Sequence, residues 1–292
     1  METVILPRVR DLGGFSVRRA LPAGRKKQMV GPFIFFDQMG PAVFTGEDAL
    51  DVRPHPHIGL STVTWLIEGQ ITHKDSLGSD LVIRPGELNL MTAGSGIAHS
   101  ERSPQEDRQD GKDHPMLGLQ AWLALPKQHE ERDPAFAHYG IDDMPYHEGD
   151  GVAMTLIAGS AFGMSSPMTT YCDTLYAEIR QQGGSRFNIP RQTEERAVYI
   201  LSGEIRIAGE AFEAGALVCL REGVDVVIET TAKPAHYMLL GGEAADGPRH
   251  IWWNFVHSDP ERIEQAKRDW VDGRFASVPG DDKEFIPLPD GP

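Results

Sequence analysis

One strand-and-turn pattern occurs twice in this 292-residue chain, and that duplication restricts the fold more than any other feature. Trp65-Leu66-Ile67-Glu68-Gly69-Gln70-Ile71 resembles Tyr199-Ile200-Leu201-Ser202-Gly203-Glu204-Ile205 at an offset of 134, and Pro85-Gly86-Glu87-Leu88 resembles Ala214-Gly215-Ala216-Leu217 at an offset of 129. The copy has therefore lost five residues from the hairpin between its paired glycines. Around the first copy, Thr62-Val63-Thr64-Trp65-Leu66-Ile67 is β-branched and aromatic, and Glu68-Gly69 turns it into Gln70-Ile71-Thr72-His73. Asp75 to Asp80 and Pro85-Gly86 are further turns, with Leu81-Val82-Ile83 and Leu88-Asn89-Leu90-Met91 as strands between and after them. Short strands at this density form a sandwich or barrel. Two similar antiparallel barrels in one all-β chain are the expectation.

The linear division expected is a first barrel over 1–125, a crossover over 126–151, and a second barrel over 152–292 that carries a short helix and a tail. Val30 to Asp37 reads as a buried strand entering a turn. Residues 103–114 are polar and charged and read as a solvated loop. Ser258 or Asp259 can cap a helix with Pro260 in its first turn, Ile263, Ala266 or Lys267 and Trp270 on one face, and Gly273 as its stop. Ile251-Trp252-Trp253-Asn254-Phe255 reads as packing.

With 40% apolar and 24% charged residues the composition is that of a globular protein. No run approaches the ~18 apolar residues of a membrane span, and Met1 to Arg8 lacks a secretory pattern. Cys172 and Cys219 are too few for a disulfide framework and match no zinc motif. A cytoplasmic monomer with reduced thiols is expected. The formal charge of −15 opposes contact with nucleic acid phosphates.

Two triplets stand out: His55-Pro56-His57 and His99-Ser100-Glu101. In an extended strand, residues two apart point to one face, ~7 Å apart along the chain. If the two strands lie side by side in a barrel, three imidazoles and one carboxylate converge on a mononuclear metal site. The second copy is an internal control. The same offsets carry His55 and His57 to Ile189 and Arg191, and His99 and Glu101 to Ile228 and Thr230, so every ligand type is lost. A metal is expected in the first barrel alone.

Pro54-His55-Pro56-His57-Ile58-Gly59, Glu68-Gly69, Asp75-Ser76-Leu77-Gly78, Pro85-Gly86 and the run Met91 to Glu101 resemble the pirin family of the cupin superfamily. Asp11-Leu12-Gly13-Gly14, Val30-Gly31-Pro32-Phe33 and Pro248 to Phe255 extend the resemblance over nearly the whole chain. It implies a bicupin, two stacked jelly-roll barrels, with a metal, usually iron, held in the N-terminal one by His55, His57, His99 and Glu101. Cupins generally place a ligating Glu shortly after the H-x-H pair. Here Ser61 and Thr62 occupy that region, and the carboxylate comes from Glu101, as in pirins. The resemblance also implies quercetin (flavonol) 2,3-dioxygenase-type ring cleavage with O2, and, from an animal member acting as a nuclear transcription cofactor, a regulatory role on a protein partner without catalysis.

A mixed N/O donor set suits Fe(II) and its divalent neighbours alike, and four protein ligands leave room for a substrate. Glu101 is then the candidate catalytic base as well as a ligand. A third use of such a metal is isomerase or hydrolase chemistry on another small molecule. His73 lies in a strand beside the site, where it either orients a ligand or is an ordinary polar strand end. The remaining histidines show no ligand spacing. Phe35, Phe36, Trp65 and Met91 either line an aromatic-accepting pocket or pack the core, the latter being the expectation for each.

Overall fold

A computed structural model describes residues 3–11, 15–24, 27–46, 49–109 and 111–291. The Leu12-Gly13-Gly14 part of the family motif lies outside them. The described chain is built of antiparallel strands, with α-helices at Gln105–Gln109 and Pro260–Val271. It divides into two compact units. One comprises Met1–Val9, Arg18–Asp37 and Tyr139–Ala245; the other comprises Arg10–Val17, Gln38–His138 and Asp246–Pro292.

The units cut the chain differently from the linear division expected. The helix and tail group with the first barrel, and the strand Thr3–Ile5 pairs in register with Leu217–Cys219 of the second. The physical reason is local packing. Ile58 bridges Phe255, and Phe255, Ile263 and Ala266 form a buried cluster with Ile58. Residues 126–151 are not a bare crossover either. Ala135–Tyr139 adds to a sheet beside Leu88–Thr92, and Tyr146–Gly149 pairs with Val152–Thr155 of the strand Val152–Ala158.

In the unit holding Gln38–His138, one wall is a four-stranded sheet ordered Asp51–His57, Ile97–Arg102, Ile71–Asp75, Asp80–Ile83. The facing wall has Leu88–Thr92, Leu60–Glu68 and Asp113–Ala124 as neighbours. Strand alternation layers the space between them. Leu66, Ile71, Ile83 and Met116 belong to an apolar cluster at one end. Thr64, Asn89, Glu101, His73 and Asp75 follow as buried polar groups. The run that begins at Phe33 does not turn at Asp37 but continues as strand to Thr45, because Asp37 is held in line by Arg19, 2.9 Å away. Within 103–114 the chain forms the helix Gln105–Gln109 instead of a fully solvated loop, since the Asp107 carboxylate turns inward to accept from Gln70.

The other unit repeats the plan with different contents. Its four-stranded sheet runs Arg186–Ile189, Val226–Thr230, Glu204–Ile207, Glu210–Glu213. Ile189, Ile205, Ile207, Val226 and Ile228 are core residues there, with Phe187 packed against them. Among the four expected counterpart positions, Ile189 and Ile228 are in that core. Arg191 follows the strand's end, and Thr230 donates to the Gln182 carbonyl. Where the first barrel carries imidazoles and carboxylates, the second is filled by branched aliphatics.

The C-terminal helix forms for the reasons its sequence suggests. Asp259 accepts from the Glu261 N–H at 2.9 Å, Pro260 opens the helix, and Ile263 and Ala266 are buried. Gly273, at φ 67°, lies just past its end. Among the described residues no helix is long and apolar enough to cross a membrane.

Candidate metal centre

His55 and His99 are direct cross-strand partners, and His57 faces Ile97. All three imidazoles are buried, with relative exposures of 6%, 1% and 1% for His55, His57 and His99. One nitrogen of each can be chosen so that all lie within 4.8 Å of one another. His57 Nε2 and His99 Nε2 approach to 3.1 Å. The tautomers are set from outside the cluster: His55 Nδ1–H donates to the Arg53 carbonyl at 2.9 Å and His57 Nδ1–H to the Asn254 carbonyl at 3.2 Å. Both rings therefore direct an Nε2 lone pair inward, the arrangement in which a histidine binds a metal.

Burial holds all three rings in the neutral, ligating form. It pushes His55 down to about 4, and it holds His57 and His99 well below the ordinary imidazole range, with neighbouring imidazoles adding to the effect. His99 Nδ1 is buried without a hydrogen-bond partner. Convergent lone pairs of neutral imidazoles are a donor set that a divalent transition cation satisfies, so the residues fit the metal the resemblance implies.

Glu101 sits differently. The register shifts between His99 and Glu101, which pair with His55 and Val52 respectively, so one strand carries an extra residue there. The carboxylate is not among the three groups that converge within 4.8 Å. It accepts from Gln120 Nε2 at 3.1 Å, while Gln120 Oε1 accepts from Thr64 at 2.6 Å. That chain fixes which end of the Gln120 amide faces Glu101. Burial raises the Glu101 pKa, against smaller opposing effects of His73 and Gln120. Burial thus makes this carboxyl a better proton acceptor than an exposed one, the direction a general base needs.

Several groups at the site were not found from sequence. Trp122 meets His57 edge-on at 5.1 Å between centroids. Phe136 stacks on His73 at 4.5 Å. Gln120 and Trp122 are two apart on the facing strand, an alternation that could have marked them, whereas the Asn254 carbonyl leaves no trace in side-chain identity. Phe35, Phe36, Trp65 and Met91 are all buried. Phe36 packs against Tyr176 and Tyr199, and Trp65 alternates with Thr64 onto the opposite strand face. Gly59 shows how tightly the C-terminal hairpin backs the site. A Cβ there would lie 1.9 Å from the Val256 carbonyl oxygen, and its φ is +68°.

The fold and this cluster define a cupin-type protein with an imidazole centre in one barrel. The chain belongs to the pirin family: the pirin family model matches residues 14–123 and the pirin C-terminal cupin domain model residues 176–276. A pirin-like protein of Caulobacter vibrioides is 46% identical over 293 residues, covering 99% of this chain and 100% of that one. Pirin of Homo sapiens is 31% identical, with 91% of this chain and 90% of the human protein covered. The crystal structure of quercetin 2,3-dioxygenase from Acinetobacter baumannii superposes with a TM-score of 0.91 at 35% identity, covering 100% of this chain and 96% of that one.

Proposed function

We propose that this chain is an Fe(II)-dependent flavonol dioxygenase, converting a quercetin-like substrate and O2 to a ring-opened ester and carbon monoxide. The observation that carries the reading is the convergence of three neutral, buried imidazoles beside a buried carboxyl of raised pKa. The likeness to the quercetin 2,3-dioxygenase from Acinetobacter baumannii supports the choice of substrate class. His55, His57 and His99 would hold the metal, with Glu101 as the fourth ligand. When bound, the metal supplies Lewis acidity to the enol hydroxyl and redox chemistry toward O2.

The chain's own residues do the rest. The Arg53 and Asn254 carbonyls orient two of the three imidazoles. Glu101 takes the enol proton, and the Thr64–Gln120 chain keeps its carboxylate aimed at the site. Trp122 and Phe136 limit water around the reacting ring.

The test is metal analysis of the native protein, then anaerobic reconstitution with Fe(II) and addition of quercetin and O2. Consumption of O2 with equal release of carbon monoxide is expected. Full Fe(II) occupancy with no O2 consumption would overturn the reading and leave a metal-responsive binding protein in its place.

A sharper prediction concerns Glu101. Glu101→Gln keeps the size and the contact to Gln120 but cannot take a proton. Turnover should fall by ~10² or more, the usual contribution of general-base catalysis, while metal content falls by much less. Equal loss of both would make Glu101 a ligand only.

A further inference from the structure

The strand Ile71–Asp75 sends Ile71, His73 and Asp75 inward, all three at most 3% exposed. His73 is the cross-strand partner of Glu101, and Asp75 that of His99. His73 Nε2 lies 3.0 Å from Asp75 Oδ2. The other Asp75 oxygen accepts the backbone N–H groups of Leu77 and Ser79, at 2.9 and 3.1 Å. Those two bonds stop the carboxylate from turning, so it presents an acceptor to His73 and the ring hydrogen resides on Nε2. His73 Nδ1 is then a lone pair. No described group of the chain donates to it.

The ring is held as firmly as the tautomer. Phe136 lies nearly parallel on it, at 19° and 4.5 Å, and the His99 ring is 5.3 Å away on the metal side. The stacked face is closed to a ligand, and the ring edge is what remains. That edge carries the acceptor, and it sits beside the imidazole cluster, where a ligand hydroxyl can reach it.

We propose that His73, backed by Asp75, is a positioning residue whose Nδ1 accepts a hydrogen bond from a second hydroxyl of a polyhydroxylated aromatic ligand, the ligand's enol oxygen going to the imidazole cluster. The assignment rests on the flavonol reading above and deepens it. His73 selects among flavonols by their hydroxyl pattern, separately from the group that takes the enol proton.

Asp75→Asn is the informative variant. Its amide oxygen can still accept from Leu77 and Ser79, while its N–H group donates to His73 Nε2. The ring hydrogen then moves to Nδ1, and the acceptor becomes a donor. Protein loaded with redox-inert Ni(II) is titrated anaerobically with quercetin and with the flavonol that carries only its enol hydroxyl, the absorption of the bound flavonol giving Kd. Metal content is measured in parallel.

The wild type should prefer quercetin at least tenfold. Asp75→Asn and His73→Phe should retain metal and lose that preference, and His73→Asn, which can place an oxygen near the Nδ1 position, should restore part of it. Equal wild-type affinity for the two flavonols overturns the assignment without any variant having to fold. Wild-type preference that survives in metal-loaded His73→Phe overturns it as well. A metal-loaded wild type that binds neither flavonol overturns the functional reading, and this assignment with it.

Discussion

Metal-stripped protein should lose stability steeply as pH falls from about 6.5 toward 4, with a slope near pH 5 of about 3–4 kcal/mol per pH unit. The cause is the burial of three imidazoles. In the unfolded chain each takes a proton near the ordinary value of 6.5; in the folded chain burial lowers His55 to about 4 and holds His57 and His99 well below the ordinary value. Across this window the unfolded state binds more protons, so acid favours it. Three such groups would give ~4 kcal/mol per pH unit at most. Glu101 acts in the opposite direction, since its raised pKa makes the folded state the better proton acceptor above 4.5, and it removes part of that slope. Against the opposing effect of burial, Arg108 and Arg102 hold Asp51 low and Arg102 holds Asp281 low, so these two contribute only below about 3.8.

Urea unfolding of metal-free protein at pH 5.0, 6.0 and 7.5 reads the effect directly. His57→Leu should flatten the slope by about one proton, ~1.4 kcal/mol per pH unit. Loading with Zn(II) should move the loss to lower pH, because a cation on the lone pairs competes with protons. Equal urea midpoints at pH 5 and 7.5 in the metal-free protein would show that the three rings are not buried neutral together.

The imidazole cluster was legible because its signal is local. His55 and His57 are two apart on one strand, and alternation alone puts them on one face. The apolar filling of the second barrel was legible as the loss of the same residue types. Helix Pro260–Val271 announced itself through Asp259, Pro260 and Gly273, whose capping roles depend on immediate neighbours. What could not be read depends on partners far along the chain. Gln120 reaches Glu101 from the facing sheet, and the extra residue between Val52 and His55 is a matter of pairing register, not of composition. The tail's place with the first barrel rests on contacts such as Ile58 with Phe255, nearly 200 positions apart. His57 is oriented by a backbone carbonyl, which any residue at position 254 would supply. Long-range pairing and main-chain chemistry have no fixed spacing for a sequence pattern to capture.

Glu130→Ala should cost about 3–5 kcal/mol, the range for removing one member of a buried ion pair, and should weaken metal retention as well. Glu130 is 2% exposed and Arg249 4%. Arg249 Nε lies 2.9 Å from Glu130 Oε1, and Glu130 also accepts from the Ser258 N–H and hydroxyl at 2.8 and 2.5 Å. Arg249 completes its set with the Gly247 and Leu125 carbonyls and with Asp246. Without Glu130, the buried guanidinium loses its buried carboxylate partner while keeping the half-exposed Asp246, and the Ser258 donors lose their acceptor. These anchors lie at the two ends of the hairpin His250–Trp252 and Phe255–His257. That hairpin contains the Asn254 carbonyl that accepts from His57, so loosening its ends frees the imidazole to turn. The double variant Glu130→Met with Arg249→Met removes both charges. It should recover much of the lost stability, since a buried pair often adds little over apolar residues of similar size. Urea unfolding and metal dissociation followed with a chromogenic chelator measure the two effects. A loss below about 1 kcal/mol for Glu130→Ala would place the pair among exposed ion pairs in its energetics. Unchanged chelator kinetics in a destabilised variant would uncouple the hairpin from His57.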